Sequence, residues 1–332
     1  MNLRNLRQIR EFAPQRLEAA PFQRKIVLIY AGLALGLTVL VTVLNHLLGM
    51  QIDNYGGLSN LGKKAMLSSV QSMLPIAQSV VTMCLEIGYV AAMLRIARGM
   101  YSSPQTLRLG FDRLWVLLRC SIFKGLILSG VIVGSVYIGM LIFMMTPFSN
   151  AALEIMEPLM SQMSVLNSAM VVDDAVYTQL MQAMLPGFAI SGIVLLVLGG
   201  PIFYALRMTN YVIIDKPGMG ALAAMRESRL MMRGNRRQLL KLDISLWWYY
   251  LATTAATVIC YGDVLLPMLG VQLPVSAQVS YFVFYGLYLL ASFAIFVFLR
   301  NRVEVTYALA YDAVKPEEKQ DGGVVLGNIF QM

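Results

Sequence analysis

The chain has 332 residues, of which 58% are hydrophobic and only 13% are charged, and its mean hydropathy is +0.66. Soluble domains contain about 25% charged residues, so this composition excludes an ordinary soluble protein and indicates an integral membrane protein. A formal net charge of +8 could suit a nucleic-acid-binding protein. The positive charge is spread over four separate segments beside apolar stretches, however, and this distribution excludes that class.

Residues 1–25 predict a short amphipathic helix on a membrane surface. Leu3, Leu6, Ile9 and Phe12 recur at near-helical spacing, with arginines between them. A helix with one apolar and one basic face lies in the headgroup layer of a bilayer. We therefore expect a cytoplasmic N-terminal segment that ends at residue 25.

Six apolar stretches are long enough to cross a bilayer, which takes about 20 residues as a helix. They cover residues 26–48, 76–97, 121–145, 186–206, 244–262 and 278–299. A backbone in lipid must satisfy its own hydrogen bonds, so each stretch is predicted to be an α-helix. The predicted fold is all-α, with a six-helix transmembrane domain at 26–313 and a polar cytoplasmic tail at 314–332.

The lysines and arginines predict the orientation of these spans. Of the 26 in the chain, only Lys63 and Lys64 lie between the first and second spans. The others fall in four segments, which are residues 1–25, 95–124, 207–241 and the tail from 300. Positive residues favour the cytoplasmic side, so both termini are predicted to be cytoplasmic.

The segment before the fifth span is the most basic in the chain. Its basic residues are Arg226, Arg229, Arg233, Arg236, Arg237 and Lys241. On a helical wheel, Ala221, Ala224, Met225, Met231 and Met232 lie largely opposite the arginines. We expect this apolar face to rest on lipid while the arginines bind anionic headgroups. The alternative is an ordinary positive loop that only orients the protein.

Local signals delimit the helices of this basic segment. Asp215 predicts the N-cap of its first helix, and Gly234 predicts the end of that helix. Asn235 is then predicted to cap the next helix. Trp247 and its three aromatic neighbours fit the aromatic belt at a membrane–water interface.

Glu86 is the only charged residue deep within a predicted span. A carboxylate in hydrocarbon is costly and by default marks a functional site. Glu86 is predicted either to bind a cation or couple proton movement, or to be a protonated group hydrogen-bonded to a neighbouring helix. The other predicted spans offer it no obvious cationic partner.

Gly199, Gly200 and Pro201 are predicted to interrupt the fourth span. Proline removes one backbone hydrogen bond, and paired glycines loosen the helix. A broken helix here would expose backbone groups to a substrate, whereas a simple kink would not.

Few residues could support other chemistry. The chain has one histidine, His46, and its three cysteines, Cys84, Cys120 and Cys260, lack metal-ligand spacing. It contains no phosphate-binding loop and no pair of carboxylates within the predicted spans. We expect no metal, no cofactor and no enzymatic activity.

Three segments carry a resemblance to a known family. The run S-R-L-M-M-R-G-N-R-R-Q-L-L-K-L-D-I-S-L-W-W, which begins at Ser228, resembles the signature of an uncharacterised bacterial integral-membrane family. That family is the one numbered nine-seven-five among the domains of unknown function. The resemblance extends to Leu85–Leu114 and Thr306–Asp312, although Arg236 stands where a lysine is usual. It implies a membrane fold in the bacterial inner membrane and brings no known activity.

Two classes of function are open. The first is a non-enzymatic membrane component that binds lipid or a partner complex through its basic helices. The second is a small secondary transporter with Glu86 as its coupling group. Expected partners are anionic lipids and either another membrane protein or a second copy of the chain, and no nucleic acid.

Overall fold

The structure is a computed structural model that describes residues 6–20, 22–55, 60–165, 174–268 and 276–315. Within these residues the regular structure is helical and contains no strand, which confirms the all-α prediction for them. The α-helices are α1 Leu6–Glu18, α2 Gln23–Asn54, α3 Leu61–Ala97, α4 Leu109–Asp112, α5 Leu114–Met144, α6 Ser149–Val165, α7 Asp174–Leu206, α8 Thr209–Asp215, α9 Ala221–Met231, α10 Arg236–Ser245, α11 Trp247–Cys260, α12 Gly262–Met268, α13 Ala277–Ala294 and α14 Asn301–Val314. A 3-10 helix covers Pro104–Arg108, and a π-helix covers Ile295–Arg300.

Five helical segments are long and apolar enough to cross a membrane, which indicates a membrane protein. They are Gln23–Ile52, Leu61–Ala97, Leu114–Met144, Gln182–Asp215 and Val279–Val314. They match five of the six predicted spans, leaving out only residues 145 and 278. The predicted span 244–262 is interrupted instead, because α10 ends at Ser245 and α11 has only 14 residues. The count of six spans is therefore not confirmed.

The first of two compact units consists of Met1–Gln71, Gly88–Leu107 and Met231–Met332. In this unit α1 packs against α14, and α11 packs against α13. The amphipathic helix α1 is present as predicted, but its apolar face is covered by protein. Ile9, Ala13 and Leu17 are buried, whereas Phe12 is 45% exposed and does not belong to that face.

The second compact unit consists of Ser72–Ile87 and Arg108–Leu230, and its centre is the packing of α5 along α7. Phe143 of α5 and Ser191 of α7 are buried. The Ser191 hydroxyl donates a 2.8 Å hydrogen bond to the carbonyl of Gly187 in its own helix. The polar side chain is thereby satisfied where the two helices approach closely.

The helix break predicted at Gly199, Gly200 and Pro201 is not present. Helix α7 runs through all three residues and ends at Leu206, so the interruption falls later, just before α8. A β-carbon built on Gly199 would lie 3.3 Å from Val131 Cγ1 of α5, so the glycine lies close to that helix. Packing of this kind lets a membrane helix continue through a proline, which removes only one backbone hydrogen bond.

Candidate functional site

A cavity of about 280 Å³ with a mixed polar and apolar lining lies within the second unit. Glu86 of α3, Lys124 of α5 and Asn210 of α8 all line it, and each side chain is half-buried. Lys124 Nζ donates a 2.8 Å hydrogen bond to Asn210 Oδ1. The Glu86 carboxylate lies close enough to interact electrostatically with the Lys124 ammonium group. The cavity therefore gathers one charge of each sign and an amide, and the thiol of Cys120 also lines it.

Lys124 places a positive charge near Glu86 that the sequence did not predict. The predicted third span starts at residue 121, which places Lys124 near its cytoplasmic end. Helix α5 starts at Leu114 instead, so Lys124 lies well inside an apolar helix. The apolar residues from Leu114 to Leu118 could have revealed this, because a span counted from Leu114 contains Lys124 in its interior.

A close approach between α3 and α4 lies beside Glu86. A β-carbon built on Gly110 of α4 would overlap the backbone of Cys84, which is two residues before Glu86 in α3. Only a glycine fits this contact without a shift of one backbone. Gly110 therefore sets the distance between α4 and the part of α3 that carries the carboxylate.

Arg113 holds the segment that carries Asn210. Its Nη1 donates a 2.6 Å hydrogen bond to the carbonyl of Ile213, near the end of α8. Burial lowers the pKa of Arg113, and the neighbouring Asp112 acts in the opposite direction. An arginine nevertheless stays protonated in proteins, so this contact is a charge-assisted hydrogen bond.

The apolar face predicted for the basic segment is buried in the protein. Ala221, Ala224 and Met225 of α9 are between 0% and 7% exposed. Ser228 is fully buried and donates a 2.9 Å hydrogen bond to the carbonyl of Ala205 at the end of α7. The prediction that this face rests on lipid is therefore wrong, because another part of the protein covers it.

The exposed face of α9 carries both positive and apolar side chains. Arg226 and Arg229 are exposed on it, and Leu222 and Leu230 are each 60% exposed. These four residues lie within one helical face, since Arg226, Arg229 and Leu230 follow Leu222 by four, seven and eight positions. We call this face the α9 basic face, and it lies entirely within the second unit.

Helix α10, in the first unit, has the same combination. Arg237 and Lys241 are exposed, beside Leu240 at 44% and Ile244 at 63% exposure. These residues form the α10 basic face. The two remaining basic residues predicted for the segment precede or begin α10: Arg233 is exposed, and Arg236 is half-buried.

The turn between α9 and α10 ends α9 as predicted, but its caps differ from the prediction. Gly234 has a φ of +94°, a conformation that glycine adopts at helix ends without strain. Asn235 precedes α10, but its Nδ2 donates a 3.0 Å hydrogen bond to the carbonyl of Met231, so it caps the end of α9. Asp215 is the last residue of α8 and does not cap α9, which starts at Ala221.

Residues of the three segments that carry the family resemblance contact one another in the first unit. Arg98 donates bidentate hydrogen bonds from Nε and Nη2 to the carboxylate of Asp312, and the shortest is 2.7 Å from Nη2 to Oδ1. Tyr307 donates a short hydrogen bond to the buried carboxylate of Asp243. Because its hydroxyl hydrogen is used there, Tyr250 must be the donor in the 2.8 Å contact between the two tyrosine hydroxyls. These hydrogen bonds connect α10, α11 and the end of α3 to α14.

Comparison with known proteins gives one family. The family model described as Protein of unknown function (DUF975) matches residues 24–316, which is most of the chain. No curated protein and no solved structure matches the chain.

Proposed function

The chain belongs to the DUF975 family of proteins of unknown function, and we propose that it is a non-enzymatic membrane component that binds anionic lipid headgroups. The observation that carries this proposal is the α9 basic face. Its two arginines suit lipid phosphates, and its two exposed leucines suit the boundary between headgroups and acyl chains. An ordinary positive loop needs no exposed leucines beside its arginines.

The α10 basic face supports the same proposal independently. It repeats the combination of two cations with two exposed apolar side chains on a different short helix. Each Lys or Arg near an anionic membrane surface contributes about 1 kcal/mol of attraction. A soluble partner protein with an acidic surface would match the charges but would leave the leucines without an apolar neighbour.

We further propose a topology with six crossings in a bacterial inner membrane. The sixth crossing is formed by α11 together with α12, which follows α11 after a single residue, Tyr261. Both termini then lie in the cytoplasm, as do both basic faces, and Lys63 and Lys64 lie outside. The support is the distribution of positive charge, which favours the cytoplasmic side.

The double variant Arg226→Gln/Arg229→Gln tests the lipid proposal. We expect its affinity for phosphatidylglycerol to fall about tenfold or more, because two contributions of about 1 kcal/mol are lost. The measurement is a titration of the detergent-purified full chain with dansyl-labelled phosphatidylglycerol at low salt. The matched control is Lys63→Gln/Lys64→Gln, which removes the same charge from exposed residues of α3.

The control variant is expected to bind phosphatidylglycerol like the unmodified protein. Equal affinities of both double variants and the unmodified chain at low salt would contradict the proposal. An unchanged affinity for lipid with loss of a co-purifying acidic protein would instead favour a partner complex.

The cavity that contains Glu86 and Lys124 favours a second function, a small secondary transporter. Charged residues inside a membrane segment typically face a polar cavity, pair with each other and mark ion or proton pathways. Glu86 and Lys124 fit this description, and the cavity beside them has room for a small polar solute. In this function Glu86 is the group that couples proton movement to solute movement.

The Glu86→Gln variant tests the transporter function. In proteoliposomes loaded with pyranine, a potassium diffusion potential set by valinomycin drives proton entry. If Glu86 couples proton movement, the unmodified chain acidifies the lumen faster than Glu86→Gln does. Glu154→Gln is the matched control, because Glu154 is an exposed carboxylate on α6. Equal rates for the chain and Glu86→Gln would remove Glu86 from any coupling role.

A further inference from the structure

A larger cavity, of about 790 Å³, lies within the first unit and shares no residue with either basic face. It is bordered by the end of α1, the start of α2 and the junction between the π-helix and α14. Its volume falls in the range of about 300–1,000 Å³ that is typical of small-molecule sites. The side chains that define its character are Arg24, Val27, Leu28, Val297, Phe298 and Arg302.

The lining changes from charged to apolar along both helices that form it. In α2 the order along the chain is Arg24, then Val27 and Leu28 further into the span. On the other wall the order is reversed, since Arg302 comes after Phe298. Arg24 and Arg302 each lie four residues, about 6 Å of helix, from the apolar residues Leu28 and Phe298. Each wall therefore has a charged part beside an apolar part, as an amphiphile has.

The two arginines are available to a ligand. Both are exposed, and neither guanidinium makes a hydrogen bond or an ion pair with the described part of the chain. Glu18 also lines the cavity, so these charged side chains sum to one positive charge. Planar guanidinium groups bind phosphate oxygens through paired N–H donors. The charged end thus fits a singly negative phosphodiester.

The π-helix adds a second sign of a binding site. It covers Ile295–Arg300 and contributes Val297 and Phe298 to the lining. π-helical turns inside α-helices are rare and frequently occur at functional sites. Here the turn separates α13 from α14 next to the cavity.

We propose that this cavity binds one phospholipid with an anionic phosphodiester headgroup. Arg24 and Arg302 hold the phosphate, and Leu28 and Phe298 contact the first part of an acyl chain. The inference rests on the membrane placement in the proposed function but not on the two basic faces. It adds a single retained lipid to the looser headgroup contacts proposed for those faces.

The test is native mass spectrometry of the full chain purified with dioleoyl phosphatidylglycerol or dioleoyl phosphatidylcholine. We expect one phosphatidylglycerol per chain to survive detergent washing, and much less phosphatidylcholine. In Arg24→Gln/Arg302→Gln the retained fraction is expected to fall about tenfold. Leu28→Trp, which fills the apolar end without a change of charge, is expected to lower retention as well. Lys63→Gln/Lys64→Gln is the charge-matched control and should retain the lipid.

The α9 variant separates this inference from the proposed function. Arg226→Gln/Arg229→Gln should keep the single retained lipid even if its titration affinity is lost. Unchanged retention in both cavity variants would overturn the inference, whatever the titration shows. Displacement by glycerol 3-phosphate as efficiently as by the lipid would also overturn it, because a free phosphate would then be the ligand.

A thermal melt like that of the control variant shows that the cavity variants are folded. If Arg24→Gln/Arg302→Gln does not fold, Arg24→Lys/Arg302→Lys is measured in its place. In that case, undiminished lipid retention by Leu28→Trp is enough to overturn the inference.

Discussion

Replacement of Lys124 by methionine is expected to destabilise the protein by about 1–3 kcal/mol, the usual cost of leaving a hydrogen-bond acceptor without its partner away from water. The variant leaves the Glu86 carboxylate in its cavity without the ammonium group and leaves Asn210 Oδ1 without its 2.8 Å donor. Methionine has nearly the shape of lysine, so packing changes little. The measurement is the free energy of unfolding from SDS titration in mixed micelles.

The double variant Glu86→Gln/Lys124→Met provides the decisive comparison. It removes both charges, and we expect it to recover part of the lost stability, because no unpaired charge is left in the cavity. Lys63→Met, at an exposed residue, should change the free energy of unfolding by less than about 0.5 kcal/mol. If the double variant is as unstable as Lys124→Met, the two charges do not act as a pair.

Replacement of Gly110 by alanine is expected to cost about 3 kcal/mol, at the upper end of the usual effect of overpacking. The added β-carbon would overlap the backbone of Cys84, and a backbone cannot rotate away as a flexible side chain can. Either α4 or α3 must move, so the cavity beside Glu86 should change as well. A fall in the unfolding midpoint together with altered labelling of Cys120 by a thiol reagent would show both effects.

Gly125→Ala is the matched control for this substitution. Gly125 lies in α5 of the same unit, and a β-carbon there would meet nothing within 4 Å. Alanine favours a helix over glycine by about 1 kcal/mol, so this variant should be neutral or slightly more stable. If Gly110→Ala and Gly125→Ala have the same unfolding midpoint, α3 and α4 lie further apart than the structure shows.

Apolar periodicity was sufficient to predict helices α1 and α9 but not what covers them. The stripes in α1 and α9 were visible in the sequence, and each was assigned to lipid. In the structure, Ile9 and Ala224 are both buried against protein. A stripe of apolar residues has the same pattern against lipid and against protein, because both remove it from water. Only tertiary structure distinguishes the two.

Of the two charged residues that line the smaller cavity, only Glu86 could be predicted from the sequence. Glu86 stood out because it lies in the middle of an apolar run. Lys124 did not, because a basic residue near the end of a predicted span is normally counted as cytoplasmic. Its role depends on where α5 begins and on the position of Asn210, which is distant in sequence. Gly234, in contrast, was predicted correctly because the conformation of a helix end is a local property.

In the proposed topology, the short helix α11 makes the protein sensitive to the thickness of its bilayer. Its 14 residues are about 21 Å long, whereas the hydrocarbon layer is about 30 Å thick. In the proposed topology, α12 must complete the crossing or the lipid beside α11 must thin, at a cost that rises with each ångström of mismatch. If the lipid thins there, the family signature, which leads directly into α11, lies at the part of the protein where we expect acyl-chain length to have its greatest effect. Short-chain lipids should accumulate there, and the unfolding temperature in nanodiscs should fall as the chains lengthen.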